Sequence, residues 1–212
     1  MSTIAVIGGT GYTGTNIVRE AAGRGHQVIS LSRSAPSEPV EGVRYEHGEV
    51  LEHAPALVET ADAVVATLSP RGDTAGTIPA LYGRLAELAA EYGTRLIVIG
   101  GFSSLRPSPD SPRFVEGDIP EQFAAEAAEM DAVRQWLQDE APEQLDWLFV
   151  SPAGSYGSFN PGEARGTYRI GGEIALFDDD GESAISGADF ALAVVDEIDD
   201  PQHRRAHIGV AY

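Results

Sequence analysis

Cysteine and lysine are missing altogether from this 212-residue chain. Without cysteine there is no disulfide, no thiolate nucleophile and no cysteine metal ligand. Without lysine there is no P-loop lysine, no Schiff base and no Tyr-x-x-x-Lys proton donor. All fourteen basic residues are arginines, set against thirty-three acids, and the formal net charge is -19. That balance argues against nucleic acid, whose binding relies on basic residues that displace phosphate counterions, and equally against an anionic membrane surface. It reads as a solvated acidic surface favouring solubility, or as an adaptation to high salt. The five histidines, His26, His47, His53, His203 and His207, show no metal-ligand spacing, so no metal is expected. No G-x-S-x-G nucleophile elbow occurs, since GGFSS and AGSYG do not match it. No apolar run approaches the ~20 residues that span a bilayer. The N-terminus MSTIAVIGG has neither a basic n-region nor a cleavage site, and the expected location is cytoplasmic.

What the chain does have is a glycine cluster in an informative place. Ile4 to Gly14 reads IAVIGGTGYTG. An apolar run feeds into Gly8, Gly11 and Gly14, three apart, and equally into the G-x-G-x-x-G of Gly9, Gly11 and Gly14. Thr15 to Ala22 follows with helical character, and Gln27 to Leu31 reads as a second buried strand. Strand, tight loop, helix and strand are the context that a dinucleotide-binding motif requires. Glycine permits positive φ in the turn and lets main-chain amides approach a pyrophosphate, with the helix N-terminus facing the anion. About 20 positions beyond such a motif a carboxylate would hold a ribose 2′-hydroxyl, whereas an arginine would meet a 2′-phosphate. Arg33 stands 19 positions beyond Gly14, within Ser32-Arg33-Ser34, which favours NADP while leaving NAD possible.

Apolar periodicity places further strands at Ala63 to Leu68, Arg95 to Ile99, Asp146 to Val150 and His207 to Val210, with a weaker one at Val43 to Tyr45. Helices are expected at Ala54 to Thr60, Thr77 to Tyr92, Gln122 to Gln138 and Ala188 to Ile198. The alternation predicts an α/β fold with a doubly wound parallel sheet, in one domain over residues 1–212. Proline cannot continue a central ladder, so the strand at 146–150 is expected to stop before Ser151-Pro152. Gly171-Gly172, between Tyr168–Ile170 and Glu173–Phe177, signals a two-residue hairpin. Ligands of such sheets lie beyond the carboxyl ends of the strands, so the loop from Leu68 to Gly76 should border the cofactor. Arg71 and Asp73 within it read either as functional residues or, more simply, as a turn with a surface ion pair. Phe102 to Pro120, with four prolines, is too long for a routine connector and reads either as a substrate-side loop or as a surface excursion.

None of the seven tyrosines has a basic residue four positions later, so the usual proton-donor dyad is missing in spacing as well as in residue type. GGTGYTG after the first strand, LSRS after the second, GEV after the third and the late run SPAGSYGSFNPGEARGTYRIGGE together resemble a known group. It is the atypical short-chain dehydrogenase/reductase group of NAD(P)H-binding or NADH-flavin-reductase-like proteins, related to NmrA-like sensors and biliverdin reductase B. The similarity spans nearly the whole chain, and Ser-Pro followed by R-G-T-Y-R and Gly-Gly is its more specific part. The resemblance implies a Rossmann-like domain with a small C-terminal hairpin and helix elaboration.

It further implies that Gly8, Thr10, Gly11, Tyr12, Thr13 and Gly14 cradle the pyrophosphate, with Arg33 and Ser34 at the adenosine ribose. Glu49 would stand near the adenine, where the group usually has Asp. Leu68, Ser69, Gly100 and Gly101 would line the groove, and Ser151 and Pro152 would lie near the nicotinamide. No motif identifies a catalytic residue, and Ser103, Ser151 and Tyr156 are the polar candidates. The expected activity is NADPH-dependent reduction of a flavin or quinone-like small molecule by direct hydride transfer, the protein supplying orientation and a dry site. Two other readings share the same glycine loop. One is a non-catalytic NmrA-like sensor acting through a protein partner. The other is a sugar-nucleotide epimerase or dehydratase-like enzyme, which the missing Tyr/Lys pair and the short C-terminal portion weaken.

Overall fold

The computed structural model describes residues 1–212 throughout. Seven strands run parallel: β1 (Thr3–Ile7), β2 (Gln27–Ser32), β3 (Arg44–His47), β4 (Ala63–Ala66), β5 (Arg95–Ile99), β6 (Trp147–Pro152) and β8 (Ala206–Ala211). A short β7 (Arg169–Ile170) adds antiparallel to β8. One sheet results, in the order β3-β2-β1-β4-β5-β6-β8-β7. Because β1 pairs with β2 on one side and with β4 on the other, the winding reverses there and leaves a crevice at the C-terminal ends of β1 and β4.

The helices are α1 (Tyr12–Gly23), α2 (Val50–Thr60), α3 (Ile78–Tyr92), α4 (Glu121–Asp139) and α5 (Gly187–Asp199). Helices α2, α3 and α4 cover one face of the sheet and α1 and α5 the other, forming apolar cores of 25 and 21 buried residues. Strands buried on both faces must be apolar at successive positions, which is why IAVI, AVVA and LIVI read as unbroken runs rather than alternating ones. No helix is long and apolar enough to cross a membrane. The architecture is the Rossmann-like doubly wound sheet that the resemblance implied, with its C-terminal elaboration.

Several boundaries differ from expectation for local reasons. Helix α1 begins at Tyr12, three residues ahead of Thr15, because extended Gly11 (φ -75°, ψ 170°) turns the chain directly into the helix. Helix α2 begins at Val50, four residues before Ala54, with Pro55 inside it. Strand β6 continues through Pro152 instead of ending at Val150. The Val150 carbonyl accepts from Gly100 N on the β5 side, so Pro152 turns its missing N–H to that same side, where β5 pairing has already ended at Ile99. The Gly171-Gly172 turn forms, but its arms do not pair with each other. Ile170 lies opposite Val210 of β8, whereas Ile174 bridges to Arg106. The free edge of β8 captures one arm and the 102–120 segment the other, so long-range sheet pairing overrides the local turn signal.

Candidate active site

The glycines of the first loop do different jobs. Gly8 has φ +85°, and a Cβ there would stand 2.6 Å from Thr67 Oγ1. A Cβ on Gly9 would collide with Ser30, and one on Gly14 would stand 2.7 Å from Gly9 Cα and 2.8 Å from Gly8 C. These three are demanded by the protein's own packing. Gly11 is not: it is exposed, and a Cβ there would meet only the Gly8 carbonyl, at 3.3 Å. The first turn of α1 carries no acidic residue and no side-chain cap, so the amides at the helix start are left to face an anion. Side chains brace the loop from below. Thr67 Oγ1 donates to the Ile7 and Gly8 carbonyls at 2.9 and 3.2 Å, and Thr10 N donates to Ser32 Oγ at 3.1 Å. Ser30, Ser32 and Thr67 were not singled out from the sequence, although serines inside the buried strand QVISLS were a signal of something packed close above them.

At the β2 end, Arg33 and Ser34 are exposed, and Ser34 Oγ lies 3.4 Å from Thr10 Oγ1. Arg33 reaches across to the loop after β4, where its Nη1 lies 3.2 Å from Asp73 Oδ2. The ion pair read between Arg71 and Asp73 does not form. Arg71 binds Glu126 of α4 at 2.7 Å, and Glu129 of α4 accepts from Gly76 N at 2.6 Å, so α4 pins the loop that carries Asp73. Glu49 is the N-cap position of α2 and is exposed, its side chain making no cap bond.

At the other end, Leu68 packs against Gly8, and its carbonyl accepts from buried Tyr82 Oη at 2.8 Å. Ser69 is exposed. Gly100 has no room for a Cβ because the Phe149 ring occupies the space, while Gly101 is open. Tyr156 is largely enclosed against Tyr12 and Phe190, with its hydroxyl 2.8 Å from Thr13 Oγ1. Burial pushes that phenol above its usual range, and the Thr13 bond offsets this only in part. Ser151, expected at the nicotinamide, is fully buried, with its Oγ 2.9 Å from His207 Nε2; Pro152 is buried beside it. Ser103 is half-buried in the turn after β5. Of the three polar candidates, two therefore have hydroxyls committed to protein partners.

His207 belongs to a buried network that the sequence did not disclose. Arg113 Nη1 lies 3.4 Å from its Nδ1, and Arg113 Nη2 donates to Glu173 at 2.6 Å. A guanidinium only donates, so Nδ1 accepts and Nε2–H donates to Ser151. Burial holds the imidazole neutral and depresses its pKa to about 3. The parts come from residues 113, 151, 173 and 207, so no local spacing could reveal them. A second buried ionic group, Arg95 with Asp146 and Glu197, starts β5 and lies at the opposite end of the sheet from the crevice.

The chemistry of the crevice fits a dinucleotide: free amides at the start of α1, an open approach over Gly11, and an arginine at its β2 edge. Comparisons with other proteins agree. The NAD(P)H-binding family matches residues 8–201 of this chain. The uncharacterized Bacillus subtilis (strain 168) protein YwnB is 30% identical over 98% of this chain and 97% of its own. A Streptococcus pneumoniae TIGR4 structure proposed to be an NADH-flavin reductase is 30% identical with a TM-score of 0.85, covering 100% of this chain and 99% of the other. A Bacteroides thetaiotaomicron structure proposed to be an epimerase is 27% identical with a TM-score of 0.86, covering 99% and 96%. With the match running across nearly all of the chain, the protein belongs to the NAD(P)H-binding family of atypical short-chain dehydrogenase/reductases.

Proposed function

We propose that the protein is a cytoplasmic NADPH-dependent reductase of a small planar acceptor, a flavin or quinone, and that it works without a dedicated acid. The observation that carries this is the state of the hydroxyls at the crevice: Tyr156 is bound to Thr13 and Ser151 to His207, and lysine is absent. Gly8, Thr10, Gly11, Tyr12, Thr13 and Gly14 would hold the pyrophosphate, and Arg33 with Ser34 the phosphorylated ribose. When bound, the reduced nicotinamide supplies a hydride. The chain's own part is to orient the acceptor over Gly100 and Gly101 and to exclude water. A flavin or quinone accepts the hydride as a delocalised anion and takes its proton from solvent afterwards, once it leaves the site. A ketone would need an acid at its oxygen, and the epimerase reading lacks the tyrosine and lysine on which that chemistry rests.

The test is oxidation of NADPH at several pH values with riboflavin, menadione and a simple ketone in parallel. Turnover is expected with the first two, with little pH dependence, and none with the ketone. Tyr156→Phe and Ser103→Ala should each change kcat less than about threefold. Brisk ketone reduction lost in Tyr156→Phe would overturn the proposal, and no turnover with any acceptor would favour a sensor acting through a protein partner.

Cofactor choice is tested separately. NADPH should bind more tightly than NADH, and Arg33→Ala should cost NADPH about tenfold or more with little effect on NADH, in keeping with a charge-assisted contact of roughly 1.5 to 3 kcal/mol. Asp73 competes with a phosphate for the same guanidinium. Asp73→Asn should tighten NADPH by a few-fold only, because an exposed pair is worth under about 1 kcal/mol. Equal affinities for the two cofactors in the wild-type protein, measured by fluorescence titration, would refute the assignment.

A further inference from the structure

We infer that the acceptor end of the crevice selects flat aromatic molecules that carry no phosphate, so that an unphosphorylated isoalloxazine such as riboflavin is preferred over its phosphomonoester, FMN. This rests on the reductase reading above and adds the charge of the substrate to it. The first observation is a convergence of aromatic rings. Phe102 follows Gly100-Gly101 at the end of β5. It stacks on Phe114 with centroids 4.8 Å apart and planes at 23°, and meets Phe177 edge-on at 6.4 Å. Its far edge lies 3.5 Å from where a Cβ on Gly154 would stand, just beyond β6. Three separate segments thus bring phenylalanines together between the C-terminal ends of β5 and β6, and Phe177 remains 40% exposed. Faces and edges of this kind receive a flat π-system by offset or edge-on stacking.

The second observation is the disposition of charge around those rings. Each neighbouring arginine is already bound to protein acceptors. Arg106 donates to the Ser111 carbonyl at 2.6 Å and lies 3.8 Å from Glu173. Buried Arg113 donates to the Ser104 carbonyl and to Glu173, both at 2.6 Å. Arg169 donates to the carbonyls of Phe177, at 3.0 Å, and Tyr212. The exposed acids Asp178, Asp179, Asp180 and Glu182 follow Phe177 directly. Helix α4, which packs on the 3-10 turns holding Phe102 and Phe114, carries Glu121 in its first turn, so its N-terminus is no anion site either. The contrast with α1, whose first turn has no acid, separates an end built for phosphate from an end that repels it. A phosphomonoester brings a charge of roughly -1.5 to -2 at neutral pH. Here it would find a run of acids, with Arg106, Arg113 and Arg169 already engaged.

The test is titration of riboflavin and FMN, each followed by its own fluorescence, with the cofactor-free protein at about 0.05 M salt, where surface charges act over more than ~10 Å. Riboflavin should bind at least tenfold more tightly than FMN, and the gap should shrink several-fold at about 0.5 M salt as the acids are screened. Asp178→Arg should tighten FMN and leave riboflavin unchanged, whereas Phe102→Ala should weaken both. FMN binding as tightly as riboflavin overturns the inference, as does absence of riboflavin binding or a gap that neither salt nor Asp178→Arg alters. Failure of the reductase reading looks different: selective binding of riboflavin with no NADPH oxidation by any acceptor would refute turnover while upholding the selectivity.

Discussion

Gly11→Val should fold and yet lose binding of the nicotinamide dinucleotide by at least a hundredfold, about 2.7 kcal/mol or more. The argument lies in the contrast among four glycines. Gly8, Gly9 and Gly14 are hemmed in by Thr67, by Ser30 and by the loop's own backbone, whereas a Cβ on Gly11 meets a single carbonyl oxygen at 3.3 Å. Its backbone, at φ -75° and ψ 170°, is one that valine adopts readily. Folding therefore asks for little more than a few tenths of an ångström of adjustment and a poorer N-cap, about 1 kcal/mol. What the isopropyl group does occupy is the open side over the helix start, where a pyrophosphate must come against main-chain amides. Gly14→Ala should behave in the opposite way, because its Cβ runs into immovable backbone. That variant should lose a few kcal/mol of stability. Calorimetric titration with NADPH beside a denaturant curve decides both. Unimpaired binding in Gly11→Val would mean that the crevice is not where the cofactor lies.

Acid should destabilise the protein in a window set by one buried imidazole. His207 is buried within β8, and burial depresses its pKa to about 3, with Arg113 and Arg134 acting in the same direction and Glu173 opposing them. In the unfolded chain the same group titrates near its ordinary value of about 6.5. Between those values the unfolded state holds a proton that the folded state refuses, so stability rises with pH across the window and falls as pH is lowered through it. The full effect is on the order of 5 kcal/mol, of which about 2.5 should be lost between pH 7.5 and pH 4.5. Glu173 acts in the same sense. Burial alone would raise its carboxyl, but the Arg113 guanidinium outweighs that and holds it below the usual carboxylate range. Denaturation midpoints at the two pH values are the measurement, with His207→Gln as the control that removes the titration while keeping a donor for Ser151. The variant should show a clearly shallower pH slope than the wild-type protein. Equal slopes would place the acid sensitivity elsewhere.

Helix α1 and strand β1 could be located from the chain alone because the residues that define them are neighbours. Apolar runs at Ile4 to Ile7 and Val64 to Ala66 can be satisfied only by burial on both faces of a sheet, and a glycine cluster between strand and helix leaves few physical uses other than close approach to an anion. The absence of lysine, too, closed off whole classes of chemistry without any coordinates. Local signals failed where distant segments competed for the same backbone. The free edge of β8 drew β7 away from the hairpin that Gly171-Gly172 suggested, and Pro152 stayed in its strand because its bare nitrogen faces a side where β5 has ended. The candidate site followed the same division. The glycine loop of Gly8 to Gly14 was legible as strand, turn and helix, but only tertiary structure turned Ser151 inward onto His207, set Arg33 against Asp73 and gathered Phe102, Phe114 and Phe177 at one end of the sheet. Periodicity reports which face of an element meets the core. It carries no information about which residues a hundred positions apart will share that face, because the pairing is decided by sheet order and by where each strand stops.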